Sequence, residues 1–259
     1  MAEYIEVEPA IAMTGLRVVL SPGVPGPWSE AAKGILYVKK IPYVKVRQEL
    51  GGENIPLLNW TKQTTAPAFV YNNERPRTIW NDQLILAERL APEPALIPSN
   101  IEDRALMFGY SSELCGENGF GWSRRLMLLD SALTNPKISE ENRKRSTFMG
   151  NKYGYAPNLA DKAAARCADI LRLLAGRLEA QRARGSRFFV GNSLTALDIY
   201  WAAFAALVQP LPDDLCKMTP AFRERYICTD PQVTAAMDPK LLAHRDFIYH
   251  EYLELPVDL

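Results

Sequence analysis

Apolar residues change their spacing along this chain, and the changes mark out its elements. Leu16 to Leu20 (LRVVL) is a nearly continuous apolar run of strand length. It predicts a strand covered on both faces, central in a sheet. A turn-rich stretch with Pro22, Gly23, Pro25, Gly26 and Pro27 follows. Ala31, Ile35 and Val38 then repeat at helical spacing and predict a helix from about Trp28 to Lys39. Ile41 to Arg47 predicts a second strand, parallel to the first across that helix. Residues 48–64 read as a connection broken at Gly51-Gly52, with a short helix over 55–60. Ala68 to Tyr71 is a third strand, and Asn72-Asn73 a turn pair. Arg77 to Trp80 pairs back as a fourth strand. Asp82 opens a helix with Leu84, Ile85, Leu86 and Leu90 on its apolar side. Residues 1–14 read as an irregular extension with room for a short strand. The layout over 15–92 is therefore βαβ followed by ββα.

Pro92, Pro94 and Pro98 make the stretch 93–98 an extended link. Beyond it, over 99–259, only helical spacing recurs. Leu106, Met107, Tyr110 and Leu114 form one stripe, which glycines at 116, 119 and 121 interrupt. Helical spacing resumes over 122–133. The charge run 139–146 reads as a solvated turn and helix start. Residues 158–184 form the clearest helix, with Ala163, Cys167, Ile170, Leu171, Leu174 and Leu178 on one stripe and Gly185 as its stop. Thr195 and Asp198 stand at N-cap and N3 spacing. The helix they open is apolar all round and must be buried. Residues 219–225 and 239–253 read as closing helices. The fold class is an α/β unit followed by an all-α unit.

Composition narrows the function. The 259 residues are enough for two cores, and 47% hydrophobic with 23% charged content is that of a globular protein. Thirty basic residues balance thirty acidic ones, which argues against a nucleic-acid partner. No apolar run approaches membrane-span length. The first residues lack the pattern of a secretory signal. The four cysteines are scattered without a Cys-x-x-Cys pair, and neither they nor the two histidines suggest a metal site. A reducing, cytoplasmic compartment fits.

Two points carry chemistry. Pro67 starts a strand, where a missing N–H is tolerated and a cis bond is possible. Asp82-Gln83 sits at a helix N-terminus, which favours an anion. Singly, these are an edge-strand proline and a plain N-cap. Together, at this spacing, Ala66-Pro67 and Asp82-Gln83 resemble the Val-Pro and Glu-Ser pairs of the glutathione transferase superfamily. The proline-rich link and the Thr-x-x-Asp cap of a buried helix resemble it too, so the likeness covers nearly the whole chain.

The resemblance implies a thioredoxin-like first domain over 15–92 and a helical substrate domain over 99–259. It implies glutathione as co-substrate and no metal. It implies that Pro67 is cis, with the Ala66 N–H and C=O pairing with the cysteinyl backbone of the peptide. Asp82 would meet the ammonium of the γ-glutamyl group, and the Gln83 amide its carboxylate. Trp28 and Lys62 are further candidates to line the peptide, although Lys62 also reads as a solvated lysine. Gly26 to Glu30 (GPWSE) falls where omega-like members carry Cys-Pro-Phe-Ala-Glu, so the cysteine position is Gly26. That argues against thiol reductase chemistry. Thiolate stabilisation would fall to Ser29, to Ser21, or to a backbone N–H such as that of Trp28. Tyr110, Phe120, Trp122, Arg124 and Arg125 are candidates for the second substrate's pocket. Bare arginine pairs are usually solvated, but this one could meet an acidic product.

The function implied is attack of the glutathione thiolate on an electrophilic carbon of a small apolar molecule, a detoxification reaction, in a homodimer. The alternatives are ether cleavage, dehalogenation or peroxide reduction at the same site, or a glutathione- or ligand-binding protein without turnover.

Overall fold

The structure, a computed structural model, describes residues 3–259. Its sheet has three strands in the order β2-β1-β3. Strand β1 (Leu16–Leu20) pairs in parallel with β2 (Val44–Arg47) and antiparallel with β3 (Ala68–Tyr71). All five β1 residues are buried, as the continuous apolar run predicts. The one cation among them, Arg17, donates to the carbonyls of Gly15 (2.9 Å) and Asn72 (2.8 Å).

Two expectations need correction here. The opening stretch is not irregular: Ile5 bridges Val46 in parallel, and Val7–Ile11 forms a short helix, α1. Val7 and Ala10 pack with Val19, Val46, Leu57 and Ala68. A single apolar turn of this length carries no readable period. The fourth strand shrinks to one residue pair, Phe69 with Arg77, bonded both ways at 2.9 and 2.8 Å. Pro76 has no N–H to extend the ladder, and the helix after it starts already at Trp80.

Helix α2 (Pro27–Val38) crosses between β1 and β2, α3 (Ile55–Thr61) lies in the connection to β3, and α4 (Trp80–Leu90) closes the first half. The link that follows is clamped rather than free. Buried Lys39 donates to the carbonyls of Ala91 (2.7 Å) and Pro94 (2.9 Å) and pairs with Glu88 (2.6 Å).

The second half is helical throughout: α5 (Ile101–Cys115), α6 (Phe120–Thr134), α7 (Glu140–Lys152), α8 (Pro157–Arg182), α9 (Ala196–Phe204), α10 (Pro220–Tyr226), α11 (Pro231–Ala236) and α12 (Pro239–Tyr252). This is a thioredoxin-like unit followed by a helical one. Every residue of α9 is buried, and the helix packs on α2, α5 and α12, so it joins the two halves. Asp198 holds its start. Its carboxylate accepts from the Thr195 N–H and hydroxyl (both 2.9 Å) and from the Phe189 N–H (3.0 Å), and it meets His244 Nε2 at 2.9 Å. Helix α11 has no counterpart in the sequence reading; it is six residues long and marked only by Pro231 and by Asp230, whose side chain accepts from the Gln232 and Val233 N–H groups. Among the described residues, no helix is long and apolar enough to cross a membrane.

Candidate functional site

The site is built where α2 begins. Gly26 is its N-cap and offers no side chain. Pro27 has no N–H, and the N–H groups of Trp28 and Ser29, which no intrahelical carbonyl can reach, find no acceptor among the described residues. The first satisfied donor is the Glu30 N–H, bonded to Gly26 O at 2.9 Å. The Ser29 hydroxyl lies 3.7 Å from where a Cβ on Gly26 would stand. Ser29 therefore borders the position where a cysteine would sit. Ser21, the other hydroxyl candidate, instead donates to Gln48.

Trp28 is fixed by the helical half. Its indole N–H donates to Cys115 O (3.0 Å), and its ring meets Phe204 edge-on at 4.8 Å. Gly121 makes room for both rings: a Cβ there would stand 2.4 Å from Phe204 and 2.8 Å from Trp28.

The Ala66–Pro67 peptide is cis. Ala66 is half-buried, and its N–H and C=O have no partner among the described residues. Lys152, the last residue of α7, donates to Gln63 Oε1 (3.0 Å), Thr64 Oγ1 (3.2 Å) and Thr65 Oγ1 (3.1 Å). Burial, and then the charge of Arg125, lower the Lys152 pKa. The Arg125 guanidinium lies 4.4 Å from the Trp28 ring centre, 4.0 Å from that of Tyr153 and 5.9 Å from that of Trp122. Thr65, Lys152, Tyr153, Arg125 and Trp28 thus connect the loop before Pro67 to the start of α2, and the surface between them is the candidate cleft.

At α4, the helix begins two residues before Asp82, which shifts both candidates. Asp82 is half-buried and pairs through Oδ2 with exposed Arg75 at 2.9 Å. Gln83 is buried, and its amide donates to Pro67 O (3.1 Å) and Arg77 O (3.2 Å). Both amide protons are used in this arrangement, so Gln83 braces the strand, and donating to a ligand carboxylate would require it to exchange one of these bonds. The unpaired donors at this helix end are the backbone N–H groups of Trp80 and Asn81. Lys62 is exposed and curls back onto Asn59 O (3.0 Å).

The pocket candidates divide. Trp122 meets Tyr153 edge-on at 5.1 Å and belongs to the cleft. Phe120 is fully buried against Trp201. Tyr110 lies under Arg177 of α8 (5.9 Å). Arg124 is buried, and its Nε donates to Leu207 O at 2.9 Å. Phe120 and Arg124 are core residues, a correction. Arg125 is the arginine of the pair that reaches the cleft. Sequence reasoning missed Lys152 and Tyr153. They end a helix with only Ser146 and Gly150 buried, and nothing local ties them to Thr65.

No thiol is poised for chemistry. Cys115, nearest the site, is buried, and burial pushes its thiol well above the usual range. Burial also pushes Cys167 up to about 12. Among the described residues no cluster of three or more His, Cys, Asp or Glu could hold a metal.

No protein-family model and no curated protein matches this sequence. Solved structures do resemble it. A glutathione transferase family member from Pseudomonas fluorescens, with two glutathione bound, aligns with TM-score 0.63 at 12% identity over 95% of this chain and 94% of its own. Beta-etherase LigF from a Sphingobium strain aligns with TM-score 0.60 at 18% identity, over 92% and 95%. Glutathione transferase Omega 3C from Trametes versicolor aligns with TM-score 0.57 at 16% identity, over 95% and 84%. The chain has the glutathione transferase fold.

Proposed function

We propose that this cleft binds glutathione and that the protein transfers it to an electrophilic carbon of a small, largely apolar molecule. The sulfur–carbon bond forms as the leaving group departs with its bonding pair, the thiol proton having gone to solvent. What carries the reading is the pairing, in one cleft, of an uncapped helix start bearing Ser29 with the unpartnered peptide groups of Ala66. Two free N–H groups, a hydroxyl and a helix N-terminus favour the thiolate over the thiol. Ala66 can hold the cysteinyl backbone. Asp82 Oδ1 can take the ammonium, and the Trp80 and Asn81 N–H groups can take the α-carboxylate in place of Gln83. The fold, whose solved examples include proteins with glutathione bound, supports the same choice. The domain limits 15–92 and 99–259, a cytoplasmic location and a homodimer belong to this reading; the exposed Ile79, Ile85 and Ile101 offer apolar surface to a second copy.

Calorimetry with glutathione tests it. Wild type should bind, Asp82→Ala should weaken binding about tenfold, and Ser29→Ala should slow conjugation across an electrophile panel. No binding at millimolar peptide would overturn the reading. One observation favours a second reading, a glutathione binder without turnover: Arg75 already occupies one oxygen of Asp82. Binding without activity on any electrophile, ether, halide or peroxide would select it.

A further inference from the structure

Two cations, Arg125 and Lys152, meet at the Tyr153 ring, and neither is paired with a carboxylate among the described residues. The guanidinium of Arg125 makes no hydrogen bond and no ion pair among the described residues, although it is half-buried. It lies against two aromatic rings, 4.4 Å from the centre of Trp28 and 4.0 Å from that of Tyr153. A guanidinium held against aromatic rings keeps N–H donors free to bond an anion. The rings also hold the side chain in one place before any ligand arrives. Lys152 lies close enough for Arg125 to depress its pKa, and it too has no carboxylate partner. Burial lowers the pKa of the Arg125 guanidinium. Elsewhere buried and partly buried cations are satisfied by a carboxylate, as Lys39 by Glu88, Lys45 by Asp258 and Arg77 by Glu74, or by backbone carbonyls, as Arg17 and Arg124 are.

A desolvated, preorganised fork with no internal acceptor is complementary to a planar anion. We propose that Arg125 is a specificity residue, and that the second substrate is an aromatic electrophile bearing a carboxylate, held edge-on by Arg125 while its ring lies among Trp28, Trp122 and Tyr153. This rests on the glutathione reading above for the reaction, but not for the binding. The glycyl carboxylate of glutathione has the same chemistry. Arg125 stands instead over Trp28, the residue that precedes Ser29.

The test uses matched probes. First, 4-nitrobenzoate and 4-nitrobenzamide are titrated into the protein by calorimetry, without glutathione. Wild type should prefer the acid by about tenfold or more. R125Q should abolish that preference, and R125K should restore part of it. Second, kcat/KM is measured for 4-chloro-3,5-dinitrobenzoate and its carboxamide. The acid-to-amide ratio should fall about tenfold in R125Q, through KM. Third, the KM for glutathione is compared with that for γ-glutamylcysteine, which lacks the glycyl carboxylate. Equal weakening of acid and amide would overturn the inference and make Arg125 structural. An effect confined to glutathione, absent with γ-glutamylcysteine, would overturn it in favour of the peptide's own carboxylate. Absence of glutathione binding together with a retained acid preference would sink only the transfer reaction. Thermal melting of both variants separates misfolding from lost recognition.

Discussion

Trp28 donates its indole N–H to the carbonyl of Cys115, 3.0 Å away, and so ties the first turn of α2 to the last residue of α5. The bond crosses between the two halves of the chain, 87 residues apart. Trp28→Phe keeps most of the ring packing and removes the donor. It should cost about 1 kcal/mol of stability in urea unfolding and slow any reaction at Ser29 by loosening the helix start. Unchanged stability would mean that water takes the place of the indole.

Gly121 is a matter of space. An added methyl would stand well inside van der Waals contact of Phe204 and Trp28. Both rings are confined, Phe204 by full burial and Trp28 by its hydrogen bond. Gly121→Ala should therefore destabilise by about 1–3 kcal/mol. It should also shift the tryptophan fluorescence, because the added methyl would press on the Trp28 ring.

Asp198 gathers four hydrogen bonds at a fully buried carboxylate. Asp198→Ala leaves the donors of Phe189 and Thr195 without acceptors and should cost more than about 3 kcal/mol. Asp198→Asn should recover only part of this, since its amide nitrogen would face another donor. Chemical unfolding of both variants reads the difference. Full recovery by Asn would show that only one oxygen matters.

Burial raises the Glu30 carboxyl above its ordinary value of 4.5, against the pull of its ion pair with Lys33 at 2.9 Å. The sign follows. Below 4.5 the group is protonated in both folded and unfolded chains. Above it the unfolded chain ionises first, so native stability is lost as pH rises through the folded pKa. Glu30→Gln should change little near about pH 4 and gain on wild type towards about pH 7. Unfolding curves across that range check it, and a pH-independent difference would refute it.

The continuous apolar run of β1 and the cap at Thr195 were legible because each is local: a run and a spacing carry them. Pro67 and the uncapped start of α2 were legible for the same reason. The bracing role of Gln83 was missed because it depends on where α4 begins. A two-residue shift of that start, alongside Pro76 and the short Phe69–Arg77 pairing, carries its amide inward. Phe120 and Arg124 were misassigned because α6 is apolar on more than one side, so its phase cannot be read from spacing. Lys152 on Thr65 joins residues 87 apart through polar groups alone, and no pattern in a single sequence reports such a contact.

The two arginines of α6 have a consequence for how this helix can change. Successive residues on a helix point about 100° apart, and here that angle separates a core anchor on Leu207 from the cleft cation. The helix therefore has no frame to spare. Removing one residue from the irregular stretch 116–119 would be absorbed by the loop. Removing one between Gly121 and Ser123 would rotate Arg125 into the place of Arg124 and leave Lys152 as the cleft's remaining cation. Substitutions can drift along α6, but its length upstream of residue 124 is fixed by two neighbours with opposite surroundings.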